Sequence, residues 1–188
     1  MRELVYYVAV SLDGYIAGPD GQFDAFLMEG DHMDGINDRF ADTIPTDHAA
    51  ALGIDQSAGI FDTVLMGAST YAAGLPETTS PYRHLDQYVF THRRHDPVDG
   101  VTFTDRDPVE VVHELKHAGG KDIWLCGGGN LAMQLSDEID RFILKRQPVL
   151  FGSGIPLMAP GRYAPRRFRR VSGRDFETGV SIVEYAAS

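Results

Sequence analysis

An α/β fold with a mostly parallel central sheet and antiparallel C-terminal strands is what this sequence predicts. Three observations carry that reading. Short apolar runs alternate with helical or loop segments along the whole chain. Several runs, Leu4 to Val10, Thr63 to Met66 and Ile123 to Cys126, are apolar almost without a break, which suits strands buried on both faces. The last two, Phe168 to Val171 and Val180 to Tyr185, read as a closing antiparallel pair.

Taken in order, Leu4 to Val10 is the first strand, and Ser11 to Gly21 a loop punctuated by Gly and Pro. Residues 24–52 read as largely helical but irregular. Thr63 to Met66 is the second strand, and Gly67 to Pro76 a turn with a short helix. Gln87 to Thr91 and Val101 to Thr104 are the third and fourth strands, and Pro108 to Ala118 a helix. Ile123 to Cys126 then leads through three glycines into a helix starting near Asn130. Arg141 to Phe151 is an extended strand before the closing pair. No repeat, low-complexity tract or linker interrupts this order, so a single domain over residues 1–188 is expected.

The composition bounds the function. A hydrophobic share of 43% is ordinary for a soluble globule, and a net charge of -10 argues against nucleic-acid binding, which needs clustered positive charge. The single cysteine, Cys126, lies in a core strand, so no disulfide framework exists and a reducing compartment fits. Met1-Arg-Glu runs straight into a strand without the shape of a signal peptide, and no run approaches the ~20 apolar residues of a membrane span. A cytoplasmic protein is expected. Eleven acidic residues against one basic residue, Arg39, fall between Asp13 and Asp62, and six arginines fall between Arg162 and Arg174. Solvated faces are the ordinary reading of both clusters, and attraction between them is a further one.

The chemistry concentrates in Asp122 to Leu135. A strand that ends in Gly127, Gly128 and Gly129 and turns straight into a helix leaves several amides unpaired. Glycine also lets a ligand approach the backbone, so a phosphate or pyrophosphate is one natural guest. A tight turn that binds nothing is the other reading. Gly127, Gly129 and Ala132 match the dinucleotide pattern G-x-G-x-x-A, but they come late in the chain. No carboxylate stands ~20 positions on, around Pro148 to Leu150, so a standard Rossmann domain is not expected.

His113-Glu-Leu-Lys-His117 matches the zinc-protease pattern H-E-x-x-H. Its apolar stripe, Val111, Val112, Leu115 and Ala118, puts His113, Glu114 and His117 on the solvent side. Gly119-Gly120 ends the helix, and no third ligand is placed to complete a site. A surface helix without metal is expected.

Three separated segments resemble the dihydrofolate-reductase fold, most closely its bacterial branch related to the C-terminal reductase domain of the riboflavin-biosynthesis deaminase/reductase. They are Val8-Ala-Val-Ser-Leu-Asp-Gly-Tyr-Ile-Ala17; Thr63-Val-Leu-Met-Gly-Ala-Ser-Thr-Tyr71; and Ile123 to Leu135 with Asp140-Arg-Phe-Ile and Pro148 to Leu157. The resemblance covers nearly the whole chain. It implies a three-layer α/β/α domain, a nicotinamide-dependent reductase with NADPH as cofactor, and a homodimer.

By that resemblance, Gly127, Gly128, Gly129, Asn130 and Leu131, with Cys126 just before them, hold the pyrophosphate, and the Gly127–Gly128 peptide bond is cis. Gly67, Ala68, Ser69 and Thr70 supply amides on the other side of the cofactor. The backbone of Ala9 and Val10, with Ile16, lines the nicotinamide pocket. Thr91, His92, Arg93 and Arg94 sit near the adenosine ribose. Asp24 matches the family's acidic residue and would bind or protonate a heterocycle as the catalytic group; an N-cap role is its alternative. Met28 and Tyr71 join Asp24 in contacting substrate.

The departures from the family pattern are informative. Ala68 stands where a basic residue is usual, so one contact to the NADPH 2′-phosphate is missing. The aromatic after Asp24 is displaced to Phe26, and no arginine is clearly placed for a folate tail, Arg83 being the nearest in sequence. The expectation is an NADPH-dependent reductase of a small heterocyclic or carbonyl substrate. The alternatives are 5-amino-6-(5-phosphoribosylamino)uracil reductase and a nucleotide- or flavin-binding protein without turnover.

Overall fold

In the computed structural model, which describes residues 1–188, the first strand, β1 (Leu4–Val10), is an inner strand of an eight-stranded sheet. The chain continues through β2 (Tyr15–Ala17), α1 (Asp31–Arg39), a 3-10 turn (Ala41–Thr43), α2 (Thr46–Leu52), β3 (Phe61–Gly67) and α3 (Ala68–Ala72). Then come β4 (Asp86–Phe90), β5 (Val101–Thr104), α4 (Pro108–His117), β6 (Asp122–Gly127), α5 (Gly129–Gln134) and β7 (Arg141–Arg146). The chain closes with β8 (Ile155–Pro156), β9 (Phe168–Asp175) and β10 (Ser181–Ala187). Across the sheet the order is β5-β4-β3-β6-β1-β7-β10-β9. The first six strands are parallel, while β10 runs antiparallel to β7 and β9 antiparallel to β10.

Alternation along each inner strand divides the core into two layers. Leu4, Tyr6, Leu65, Ile123 and Leu125 face one side, where Val112 of α4, Leu131 of α5 and Leu135 just after it cover them. Val5, Tyr7, Val64, Met66, Trp124 and Ile143 face the other side, under Ile36 of α1 and Phe40 beside it. Because both faces are covered, the inner strands can afford almost no polar side chain, which is why they read as continuous apolar runs.

Three segments differ from expectation. Residues 24–30 are not helical: Phe26 is buried and stacks on Phe151 at 4.9 Å, and helix begins only at Asp31. The strand expected over 141–151 ends at Arg146. Pro148 has no amide to give a ladder, and residues 147–154 form a loop held by Gln147 N–H to the Val10 carbonyl and Leu12 N–H to the Val149 carbonyl, both 2.8 Å. Within the expected 11–21 loop, Tyr15–Ala17 pairs with the two-residue β8, which is too short to carry a pattern.

Candidate functional site

Parallel strands that share a direction also share a carboxyl end, and ligands of open α/β sheets bind there, where successive connections diverge. Here the divergence falls at β1, which lies between β6 and β7. The connections after β1, β3, β4, β6 and β7 all leave from that end.

The glycine turns after β3 and β6 face one another. A Cβ on Gly67 would lie 3.7 Å from the Gly127 carbonyl oxygen, and one on Gly128 3.5 Å from Thr70 Oγ1 and 3.7 Å from Gly67 Cα. Side chains on these glycines would fill the gap between the turns. Gly128 has φ 103°, a region that favours glycine. On its far side α5 is closed in, since a Cβ on Gly129 would run into the Pro156 carbonyl, and Ala159 N–H donates to the Gly129 carbonyl at 3.0 Å. Ala132 is the first residue of α5 whose amide finds a backbone acceptor, the Gly128 carbonyl at 2.9 Å. The amides of Gly128, Gly129, Asn130 and Leu131 find none. In α3, Ala68, Ser69 and Thr70 hold the same first-turn places, with Ala68 and Ser69 exposed. The Gly127–Gly128 bond is trans, against expectation. Positive φ at both glycines turns the chain without isomerisation, and Leu75–Pro76 is the one cis peptide.

The other expected residues divide clearly. Ala9 and Val10 end β1 beside the glycine turn, and Ile16 packs partly buried on the α5-side core. Thr91 follows β4, the neighbour of β3, and its Oγ1 accepts the Arg93 amide at 3.1 Å in a tight turn. His92, Arg93 and Arg94 are exposed, and neither arginine is in an ion pair. Leu131 gives the site only its amide, because its side chain is core. Tyr71 is also core: its hydroxyl donates to the Thr79 carbonyl at 2.7 Å and its ring packs edge-on against Phe103, so it presents no polar group to a substrate. Asp24 and Met28 are exposed on the 18–30 loop. Asp24 caps no helix, since Gly30 precedes α1, and it makes no hydrogen bond or ion pair. The structure therefore gathers the glycine turns, Ala9, Val10 and the 91–94 turn at one sheet end, and leaves Asp24 without a partner.

Sequence reasoning missed two features here. The Asp13 carboxylate accepts the Ser11 hydroxyl at 2.6 Å and the amides of Gly152 and Phe151 at 2.7 and 3.1 Å, joining the loops after β1 and β7. The Ser11 bond first, then those amides, hold its carboxyl down at about 2. The second feature is Lys145 of β7, in register with Ala9 and half-buried, with its ammonium 4.3 Å over the Tyr7 ring. Burial lowers it to about 8, and burial also pushes the nearby Cys126 thiol up to about 12. The only sequence signal was Lys145 itself, directly after the apolar run Phe142 to Leu144 in a strand that also carries Arg141 and Arg146.

The H-E-x-x-H segment lies on the outer face of α4. His113 pairs with Glu138 at 3.0 Å, Glu114 with Arg106, and His113, Glu114 and His117 are exposed, while Lys116 between them is buried. Changing His113 and His117 together to alanine is expected to cost under ~1 kcal/mol and to leave activity unchanged. Stoichiometric zinc in the purified protein, lost in that double variant, would contradict the surface reading.

The family profile described as the RibD C-terminal domain matches residues 2–182. The chain is 36% identical over 161 residues to the uncharacterized protein YwjB of Bacillus subtilis (strain 168), covering 83% of this chain and 82% of that one. It is 26% identical over 198 residues to the uncharacterized protein YyaP of the same organism, covering 98% and 94%. Among solved structures, a protein from Shewanella sp. PV-4 assigned to riboflavin biosynthesis superposes with a TM-score of 0.72 at 20% identity, over 100% of this chain and 99% of that one. The diaminohydroxyphosphoribosylaminopyrimidine deaminase/5-amino-6-(5-phosphoribosylamino)uracil reductase of Thermotoga maritima superposes with a TM-score of 0.66 at 16% identity, over 100% of this chain and 57% of that protein. The fold is the dihydrofolate-reductase-like α/β fold that the three sequence segments implied.

Proposed function

Because the chain belongs to the RibD C-terminal domain family, we propose that it is an NADPH-dependent reductase of a small heterocyclic or carbonyl compound. The observation that carries this reading is the pair of glycine turns, Gly67–Thr70 and Gly127–Leu131, facing across a gap that any side chain would fill. Amides without backbone acceptors line one side of it, which fits a pyrophosphate. The cofactor, when bound, supplies the hydride.

The chain's own part is to bind, orient and exclude water. Gly127 to Leu131 and Gly67 to Thr70 would hold the pyrophosphate between them. Ala9, Val10 and Ile16 would form the floor of the nicotinamide end. Thr91 to Arg94, one strand beyond Gly67, would meet the adenosine ribose. We place the protein in the cytoplasm and read it as a homodimer acting on a small molecule. No helix is long and apolar enough to cross a membrane.

NADPH differs from NADH by one 2′-phosphate, which suits cationic donors. Ala68 supplies none, so the contact falls to Arg93 or Arg94, with His92 adding a donor. NADPH should bind more tightly than NADH by on the order of 1–3 kcal/mol. The test is the ratio of the two dissociation constants, followed by fluorescence, in wild type, Arg93→Ala and Arg94→Ala. One of the two substitutions should narrow it. A ratio unmoved by both means the 2′-phosphate is read elsewhere.

A further inference from the structure

The chain has three lysines. Lys116 pairs with Asp140 at 2.7 Å and donates to the Glu138 carbonyl at 2.7 Å, and Lys121 donates to the Gly59 carbonyl at 2.7 Å. Lys145 has neither a carboxylate nor a carbonyl. It projects from β7 at the carboxyl end of the sheet, beside Ala9 and on the α1-side face, with its ammonium over the Tyr7 ring. The Tyr7 residue is 1% exposed, yet its hydroxyl meets no partner. A buried hydroxyl without a partner costs about 1–3 kcal/mol, and a half-buried ammonium without a counter-ion is also unfavourable. The Tyr7 hydroxyl lies inward, towards Thr43 and Asp42, so it is the Lys145 ammonium, at the carboxyl end of the sheet and without a counter-ion, that is arranged for a ligand rather than for the fold.

The donor also says what kind of ligand. An ammonium gives protons and accepts none, so it suits an acceptor atom with free lone pairs. A basic ring nitrogen that must be protonated would instead want a carboxylate. Neither carboxylate on this face is open to a ligand: Glu184 is buried and taken up by Arg39 and Arg141, and Asp42 is buried too, accepting the Phe61 amide at 2.6 Å through Oδ2 while its Oδ1, near Tyr7, has no partner. The remaining titratable neighbours, Cys126 of β6 and Tyr82, are held neutral by burial.

We propose that Lys145 is a catalytic residue that binds a carbonyl oxygen of the acceptor and protonates it during reduction. This rests on the reductase reading above. The carbonyl carbon receives a hydride with its electron pair from the reduced nicotinamide, the C=O π pair moves to oxygen, and an N–H bond of Lys145 breaks to give the alcohol. Lys145 then regains a proton from water. The ordinary ammonium is a weak acid near neutrality, and the lowering of Lys145 to about 8 makes it a better donor.

Two measurements test this. In the first, the intact protein is incubated with glyoxylate and cyanoborohydride, and the three lysines are compared by peptide mass spectrometry. The adduct should form on Lys145 ahead of Lys116 and Lys121, and labelling of those two alone would overturn the proposal. In the second, NADPH oxidation is followed with a 2-oxo acid, an aliphatic aldehyde, a quinone and a pyrimidinedione. Lys145→Met should bind NADPH within about twofold of wild type and melt no lower, while kcat/KM for any acceptor that wild type reduces falls at least ~100-fold. Lys145→Arg should keep KM and lose kcat, because guanidinium holds its proton too tightly. Acceptor reduction within threefold of wild type in Lys145→Met would overturn the assignment. So would wild type that binds NADPH but reduces none of the four. Wild type that fails to bind NADPH would instead defeat the reductase reading, leaving the glyoxylate result to decide on Lys145 by itself.

Discussion

Substituting Gly128 by valine is expected to weaken NADPH binding by at least about a hundredfold, roughly 3 kcal/mol, while the protein stays folded. Two effects act together. At φ 103° a β-branched residue is strained by about 1–3 kcal/mol, and the turn can relieve that strain only by moving its amides. The side chain would also occupy the space between the facing turns, where its Cβ alone already lies 3.5 Å from Thr70 Oγ1. The fold should survive because Gly128 lies outside the strands and contributes no side chain to either core layer. Cofactor fluorescence gives the affinity and circular dichroism the folded state. An unchanged dissociation constant in a folded variant would remove the pyrophosphate assignment.

Replacing Glu184 by alanine should destabilise the protein by about 3 kcal/mol, the largest loss expected from any single charged residue here. Glu184 is 2% exposed on β10, and its carboxylate accepts Arg39, Arg141 at 2.7 Å and the Ser172 hydroxyl at 2.7 Å. Without it, two guanidinium groups lose a common counter-ion. Burial alone would raise this carboxyl, but the bonds from Arg39, Ser172 and Arg141 together outweigh burial and hold it below its ordinary value. A carboxyl lowered by folding stabilises the native state above the unfolded carboxyl value, and that stability is lost as pH falls through the folded one. Urea midpoints should therefore fall for wild type below about pH 4.5 and change less for the alanine variant. A difference under ~1 kcal/mol at pH 7 would show that Arg39 and Arg141 are satisfied by solvent.

Most of the sheet was legible because burial on both faces leaves a plain mark. Leu4–Val10 and Val101–Thr104 have the limits expected, and the neighbouring strands differ by one or two residues. The region before β3 was harder, because α1 carries Asp31, Asp34, Asp38 and Asn37 beside few apolar residues, so its periodicity is faint. The loop after β7 misled for another reason: Pro148, Val149 and Leu150 look like strand, yet Leu150 is exposed and Pro148 ends the ladder. At the candidate site, glycines announce themselves through the conformations they permit, so both turns were found. Lys145 did not, since one lysine in a strand reads as solvated until its neighbours on β1 and β6 are known. Tyr71 misled in the opposite direction, a polar side chain near the site whose hydroxyl is already engaged at Thr79.

The strand order also sets the schedule on which the chain can fold. Val5 of β1 pairs with Trp124 on one side and Arg141 on the other, so β1 has no neighbour until β6 and β7 exist. At 5–20 residues per second, that leaves β1 unpaired for roughly 6–24 s during translation. Meanwhile β3, β4 and β5, which neighbour one another in both sequence and sheet, can begin to associate. The run Leu4–Val10 is apolar, uncharged and free of proline, the composition most prone to pairing with the wrong chain. Slower synthesis prolongs that exposure, and slower initiation, which spaces nascent chains apart, lessens its consequences. Yield from a heterologous host should therefore respond more to holdase chaperones and expression rate than to the stability of the finished protein.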